Sequence, residues 1–159
     1  MKTSVWFIAV CMVSLTLTAC GNQQVDSSTP SATASKVQTS ESQDPEALAA
    51  AIGPVKQLTL AEQIDAALAQ QGEQLFNTYC IACHRLDERF IGPPLGKVAQ
   101  NRGPLYLMNV MLNPNGMIQR HPVMKDLVKE YGTLMTDLSL TETQARAILE
   151  YLRQVSKTS

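Results

Sequence analysis

The apolar positions change rhythm several times along the chain, and each change marks a different kind of segment. Lys2 precedes an apolar run from Val5 to Leu17, a charged start and a hydrophobic stretch too short to span a bilayer as a stable helix. This is the form of an export signal peptide, predicted over residues 1–19. From Gly21 to Asp44 the residues are mostly Ser, Thr, Gln and Ala with no period, the composition of a disordered tether. As a flexible coil that stretch spans roughly 25–30 Å, enough to lift a small domain clear of a surface. Residues 45–58 are alanine-rich and interrupted by Gly53-Pro54; the sequence does not decide whether a short helical turn forms there and packs on the domain.

Thr59 and Glu62 have the spacing of a capping box. Leu60, Ile64, Leu68, Leu75, Phe76 and Tyr79 then recur at helical intervals, which predicts one long helix reaching Cys80. Gly72 inside it costs about 1 kcal/mol relative to Ala and so calls for a structural reason. A polar loop comes next, ending in Gly92-Pro93-Pro94-Leu95. Pro104 opens a second helix with Leu105, Leu107, Met108, Met111 and Leu112 on its apolar side, closed by Asn113-Pro114-Asn115-Gly116. Pro122 opens a third, with Met124, Leu127, Val128 and Tyr131 on one face and Gly132 as its stop, and 133–139 reads as a loop. Thr141 and Gln144 cap a last helix striped by Ala145, Ile148, Leu149, Leu152 and Val155. The predicted class is all-α, with the domain proper over 59–159.

A chain of 159 residues suits one domain. Aromatic residues make up 5%, a thin supply for a core, which a large apolar cofactor would supplement. The formal net charge of -1 gives no case for nucleic acid or for a strongly charged partner.

The chemistry centres on Cys80-Ile81-Ala82-Cys83-His84. Two thiols three positions apart with an imidazole directly after them form the C-x-x-C-H pattern of covalent haem attachment. Cys80 and Cys83, one helical turn apart, can both form thioethers to vinyl groups on one porphyrin edge, and His84 then falls beneath the ring as a ligand to iron. A C-x-x-C pair alone also reads as a redox dithiol or half of a zinc site. The adjacent His, the lack of a second C-x-x-C and the export signal favour one haem c.

Gly72 to Phe76, Cys80 to His84, Ile91-Gly92-Pro93-Pro94-Leu95 and a late Met together resemble the class I c-type cytochromes, from about Gly72 to Val155. The resemblance implies a small helical domain wrapped around one haem, His and Met as axial ligands, and single-electron transfer without turnover of a substrate. It also implies that Gly72 and Phe76 cross the last helix at Ile148 and Tyr151, and that the Pro93 carbonyl accepts a hydrogen bond from His84. Leu17-Thr18-Ala19-Cys20 likewise resembles the lipobox of bacterial lipoproteins, which implies that Cys20 is lipidated. Cleavage near Ala19 that leaves a free Cys20 thiol is the alternative.

Met108, Met111, Met117, Met124 and Met135 are the candidates for the sixth ligand. Met108, Met111 and Met124 lie on helical stripes, where Met commonly fills a core, and Met117 lies in the predicted turn. Met135 lies in a loop, where backbone geometry aims a side chain. The family's ligand Met stands a few residues before the last helix, as Met135 does; the family often has Pro after it, and Thr136 stands here. Met124 and then His121 are the rivals. The expected protein is a monomeric electron carrier of a respiratory chain, tethered to a membrane on its extracytoplasmic side, with membrane-bound or periplasmic redox proteins as donor and acceptor. Arg85, Arg89, Lys97 and Arg102 could edge a docking face, though Asp87 and Glu88 make a mixed-charge surface the simpler reading. A haem sensor with a displaceable sixth ligand is the alternative function.

Overall fold

The computed structural model describes residues 44–158. The predicted signal peptide, Cys20 and the predicted tether up to residue 43 lie outside the described residues. Those described form seven helices and no strand: α1 (Pro45–Ile52), α2 (Ala66–Tyr79), α3 (Val98–Asn101), α4 (Pro104–Leu112), α5 (Pro114–Arg120), α6 (Pro122–Tyr131) and α7 (Glu142–Thr158). Among them no helix is long and apolar enough to cross a membrane.

The α2–α7 pair is the most extensive packing in the fold. Phe76 meets Tyr151 with ring centroids 5.3 Å apart, and Ile148, Leu149 and Leu152 are buried beside them. Gly72 explains itself here. A Cβ on it would stand 2.5 Å from the carbonyl carbon of Ala147 and 2.9 Å from Cβ of Tyr151, so the partner at the crossing is the Ala147 backbone together with Tyr151. At the start of α7, Thr141 and Gln144 form the predicted reciprocal cap: Gln144 N donates to Thr141 Oγ1 at 3.2 Å, and Thr141 N to Gln144 Oε1 at 2.9 Å.

Two boundaries differ from the sequence reading. The first long helix starts at Ala66 and not at Thr59, because Asp65 takes the capping role and accepts from Leu68 N at 3.0 Å. The residues before it are held as irregular chain by α7. Arg153 donates to the Ala61 carbonyl at 2.8 Å, while Arg146 and Arg153 both pair with the buried Glu150. Asn113-Pro114 ends α4 and also begins α5: the Asn113 side chain accepts from Gly116 N at 3.0 Å, and Pro114 occupies a position where no N–H is needed. Met117, assigned to a turn by sequence, is therefore a fully buried helical residue.

Residues 45–58, undecided by sequence, form α1 and a turn that pack on α4. The side chain of Asn109, wholly buried in α4, donates to Ala49 O at 3.0 Å and Val55 O at 2.9 Å, and accepts from Val55 N at 2.9 Å. Arg120 donates to Ile52 O at 3.0 Å. Glu46 accepts the N–H groups of Leu105 at 2.9 Å and Tyr106 at 3.0 Å, capping α4 from outside it. A polar side chain buried this deeply is tolerated only when its hydrogen bonds are made, and α1 with the turn after it makes those of Asn109.

Candidate functional site

The Cys80–His84 turn is an extension of α2. Cys80 N donates to Phe76 O at 2.8 Å, and Cys83 N and His84 N both donate to Cys80 O, at 3.0 and 2.9 Å. Cys80 is buried, Cys83 is exposed, and both are free thiols. Burial, aided by the neighbouring Cys83, pushes the Cys80 thiol up to about 11. Among the described residues no cluster of three or more His, Cys, Asp or Glu side chains is placed to hold a metal ion.

His84 lies with Nδ1 2.9 Å from the Pro93 carbonyl. A carbonyl only accepts, so Nδ1 carries the proton and Nε2 is the nitrogen left with a free lone pair. Burial lowers the His84 pKa, with the Pro93 bond opposing it, which favours the neutral imidazole that a metal requires. The loop carrying Pro93 is fixed by its own backbone. Gly92 N donates to Cys83 O at 2.8 Å, Leu95 N to Arg85 O at 2.9 Å, and Gly96 N to Leu86 O at 2.8 Å. Ser156 of α7 donates to the Gly96 carbonyl at 2.8 Å. Gly92 passes so near the imidazole that a Cβ there would stand 2.5 Å from Cε1 of His84.

These groups open on a cavity of about 730 Å³, lined by Cys80, Cys83 and His84 and otherwise largely by apolar side chains such as Leu95, Val110, Leu127 and Ile148. A cavity of that size and lining suits a flat apolar cofactor. Tyr106 also lines it; that side chain is 4% exposed, and its hydroxyl is buried without a partner within the protein. Two thiols, a neutral imidazole and apolar walls all fit a haem.

Of the five candidate methionines, Met111, Met124 and Met135 line the cavity. Met108 and Met117 are wholly buried elsewhere in the core. Met124 and Met111 are buried on α6 and α4, while Met135 is half-buried on the 133–139 loop. That loop is set off by Gly132 at φ 67° and Ser139 at φ 51°. His121 is not part of the cavity wall. It is fully buried, with Nε2 3.1 Å from Pro45 O and its ring edge-on to Tyr106 at 4.9 Å, and so it serves the fold.

The basic residues are drawn onto the surface around the site. Arg85 stacks on Phe90 at 4.0 Å, and Arg89 on Tyr131 at 3.9 Å with an exposed ion pair to Glu130 at 3.3 Å. Lys97 and Arg102 line the cavity. Sequence reasoning missed Tyr106, Gly92, Asn109 and Glu46. Asn109 alone carried a signal, a polar residue in the middle of an apolar helix.

Helices threaded around a cavity entered by a C-x-x-C-H turn define a class, and residues 69–156 match the family model described as Cytochrome c. The chain belongs to the cytochrome c family, and its site is that of a monohaem class I member carrying one covalent haem c. Among solved structures it is similar to "Cytochrome c from rhodothermus marinus", at 79% identity over 73% of this chain and 100% of that one, with a TM-score of 0.72. It also resembles an engineered cytochrome c from Rhodothermus marinus, at 79% identity over 72% and 99% of the two chains and a TM-score of 0.70. The same engineered protein bound to a carbene intermediate matches at 78% identity, 72% and 99% coverage and a TM-score of 0.68. No curated protein matches the chain. The family's members are haem-based electron carriers and typically lie outside the cytoplasm.

Proposed function

We propose that the protein is a one-electron carrier of a respiratory chain whose iron is held by His84 and Met135, and that Cys20 is lipidated and tethers it to a membrane. The observation that carries the ligand assignment is the cavity wall. Nε2 of His84 is free where Nδ1 is bound, and Met135 is the cavity methionine whose placement is set by a loop and not by helical phase. A haem held by His84 and Met135 would supply one-electron exchange, with little movement asked of either side chain. The chain supplies the rest. Cys80 and Cys83 fix the cofactor, Pro93 orients His84 and makes it more basic, and the apolar walls exclude water and favour the ferrous state. The Met135 thioether, bound to the iron, would raise the potential further.

Protein produced with haem-attachment machinery should have the mass of the mature chain plus one haem. The ferric form should show the weak far-red band of sulfur-to-iron ligation. The bare polypeptide mass would overturn the haem assignment; one haem without the band would overturn the Met ligand. A second reading, a small-ligand binder, draws support from the engineered relative that holds a carbene intermediate and from Thr136 in place of Pro after Met135. Tight carbon monoxide binding by the ferrous protein would favour it over the carrier.

A further inference from the structure

We propose that Asn115 is a latent deamidation site, and that the Asn113 side chain protects it by holding the backbone nitrogen that would attack. Asn115-Gly116 is the only Asn-Gly pair in the chain. In such a pair the backbone nitrogen of the glycine, giving up its proton, bonds to Cγ of the asparagine. The bond from Cγ to the side-chain nitrogen breaks, and that nitrogen leaves as ammonia. Water then opens the ring at either carbonyl, which leaves Asp or an isoaspartyl residue whose backbone runs through the former side chain. Glycine favours the attack because its backbone turns freely and carries no side chain to obstruct it.

The fold calls for glycine at this place. Asn113 caps α5, its Oδ1 accepting from Gly116 N at 3.0 Å. A Cβ on residue 116 would stand 2.8 Å from that same oxygen, so a side chain there would push the cap aside. Asn113 therefore favours the hazardous residue and also disarms it. Attack needs the Gly116 nitrogen without its proton and turned toward Cγ of Asn115, and the cap bond opposes both. Asn113 is steadied in turn by α1: its Nδ2 donates to the Ile52 carbonyl at 3.3 Å, an oxygen that Arg120 at the other end of α5 also binds at 3.0 Å. Asn115 itself is exposed, so water reaches it and the cap is what guards it.

The damage would not stay local. Met117, two positions on, and His121, which ends α5 and begins α6, are both wholly buried. An extra backbone atom at residue 115 would displace them against a close-packed core. α6 follows directly and lines the cavity with Met124, Leu127 and Val128.

The experiment incubates the full haem-loaded chain, native or carrying Asn113→Ala, Asn113→Ser or Gly72→Ala, at mildly alkaline pH below the melting transition. Deamidation is read from the mass and isoaspartate content of the peptide containing Asn115, with the native chain unfolded in denaturant as the reference. The native protein should react more slowly than the unfolded chain. Asn113→Ala should deamidate about fivefold faster than the native protein, the equivalent of a cap bond worth about 1 kcal/mol. Asn113→Ser keeps an acceptor at the cap and should stay near the native rate. Gly72→Ala weakens the fold elsewhere with the cap intact, and it should stay near the native rate too. An Asn113→Ala rate equal to the native one, equal acceleration in Gly72→Ala, or a native rate equal to that of the unfolded chain would each overturn the proposal. If the Ala variant does not fold, Asn113→Gly, which also lacks the acceptor, compared with Asn113→Ser decides by the same criterion.

Discussion

Gly72→Ala is the sharpest test of how the two long helices meet. Ala is the better helix former by about 1 kcal/mol, so an open site would make the variant more stable. The site is closed. The added Cβ would stand 2.5 Å from the carbonyl carbon of Ala147 and 2.9 Å from Cβ of Tyr151, while carbon atoms in contact are ordinarily about 3.5–4.0 Å apart. About 1 Å of separation must be found. One obstacle is backbone, which cannot rotate away, so α2 and α7 must part along their main contact. Overpacking of this kind costs about 1–3 kcal/mol and sometimes more, and the obstruction by backbone places it at the upper end. After the gain in propensity the net loss is about 2 kcal/mol. For a domain of this size that lowers the melting temperature by roughly 8 °C. Guanidinium unfolding of the haem-loaded protein, monitored by far-ultraviolet circular dichroism, would show a lower midpoint at unchanged slope. A midpoint equal to or above that of the native protein would refute the close crossing.

A chain beginning at Thr59 loses every partner of Asn109 and the Glu46 cap of α4, so it should lose several kcal/mol of stability by chemical denaturation; a chain beginning at Asp44 should not. Burial pushes the Tyr106 phenol up to about 12, partly opposed by Arg102, against an ordinary value of about 10. The neutral phenol is the form the fold favours, so its contribution is complete below pH 10 and disappears as pH rises through about 12, a loss of about 2–3 kcal/mol. Tyr106→Phe should remove that alkaline loss from a stability-against-pH curve. Cys20→Ser should release haem protein from the membrane fraction; retention there would contradict the lipid anchor.

Local chemistry was legible in the sequence, and long-range packing was not, except at the α2–α7 crossing, where Gly72 and Phe76 meet Tyr151 as the family resemblance implied. The Cys80–His84 turn could be read because five consecutive residues carry its whole pattern. The start of α7 was readable for the same reason, since Thr141 and Gln144 satisfy each other within one turn. The start of α2 was misplaced because two caps compete. Thr59 with Glu62 and Asp65 are both plausible, and the choice is made by Arg146 and Arg153, which bind the carbonyls of Thr59 and Ala61 from the far end of the chain. α1 was undecidable because its partners, Asn109 and the N–H groups of Leu105 and Tyr106, lie more than 50 positions away. Within the site, the Pro93 carbonyl was named through family resemblance, and it lies within hydrogen-bonding distance of His84. The role of Gly92 depends on where its loop meets the imidazole, which no local pattern encodes. Met135, Met124 and Met111 all reach the cavity, so the fold narrows the choice of sulfur and chemistry must complete it.

The ferric far-red band of Met135→Leu and Met124→Leu, each compared with the native protein, tests the central claim most directly. The account predicts that Met135→Leu abolishes the band, lowers the reduction potential and lets carbon monoxide bind the ferrous form, while Met124→Leu leaves the spectrum nearly unchanged. Loss of the band in Met124→Leu with its retention in Met135→Leu would contradict the account and move the sixth ligand onto α6.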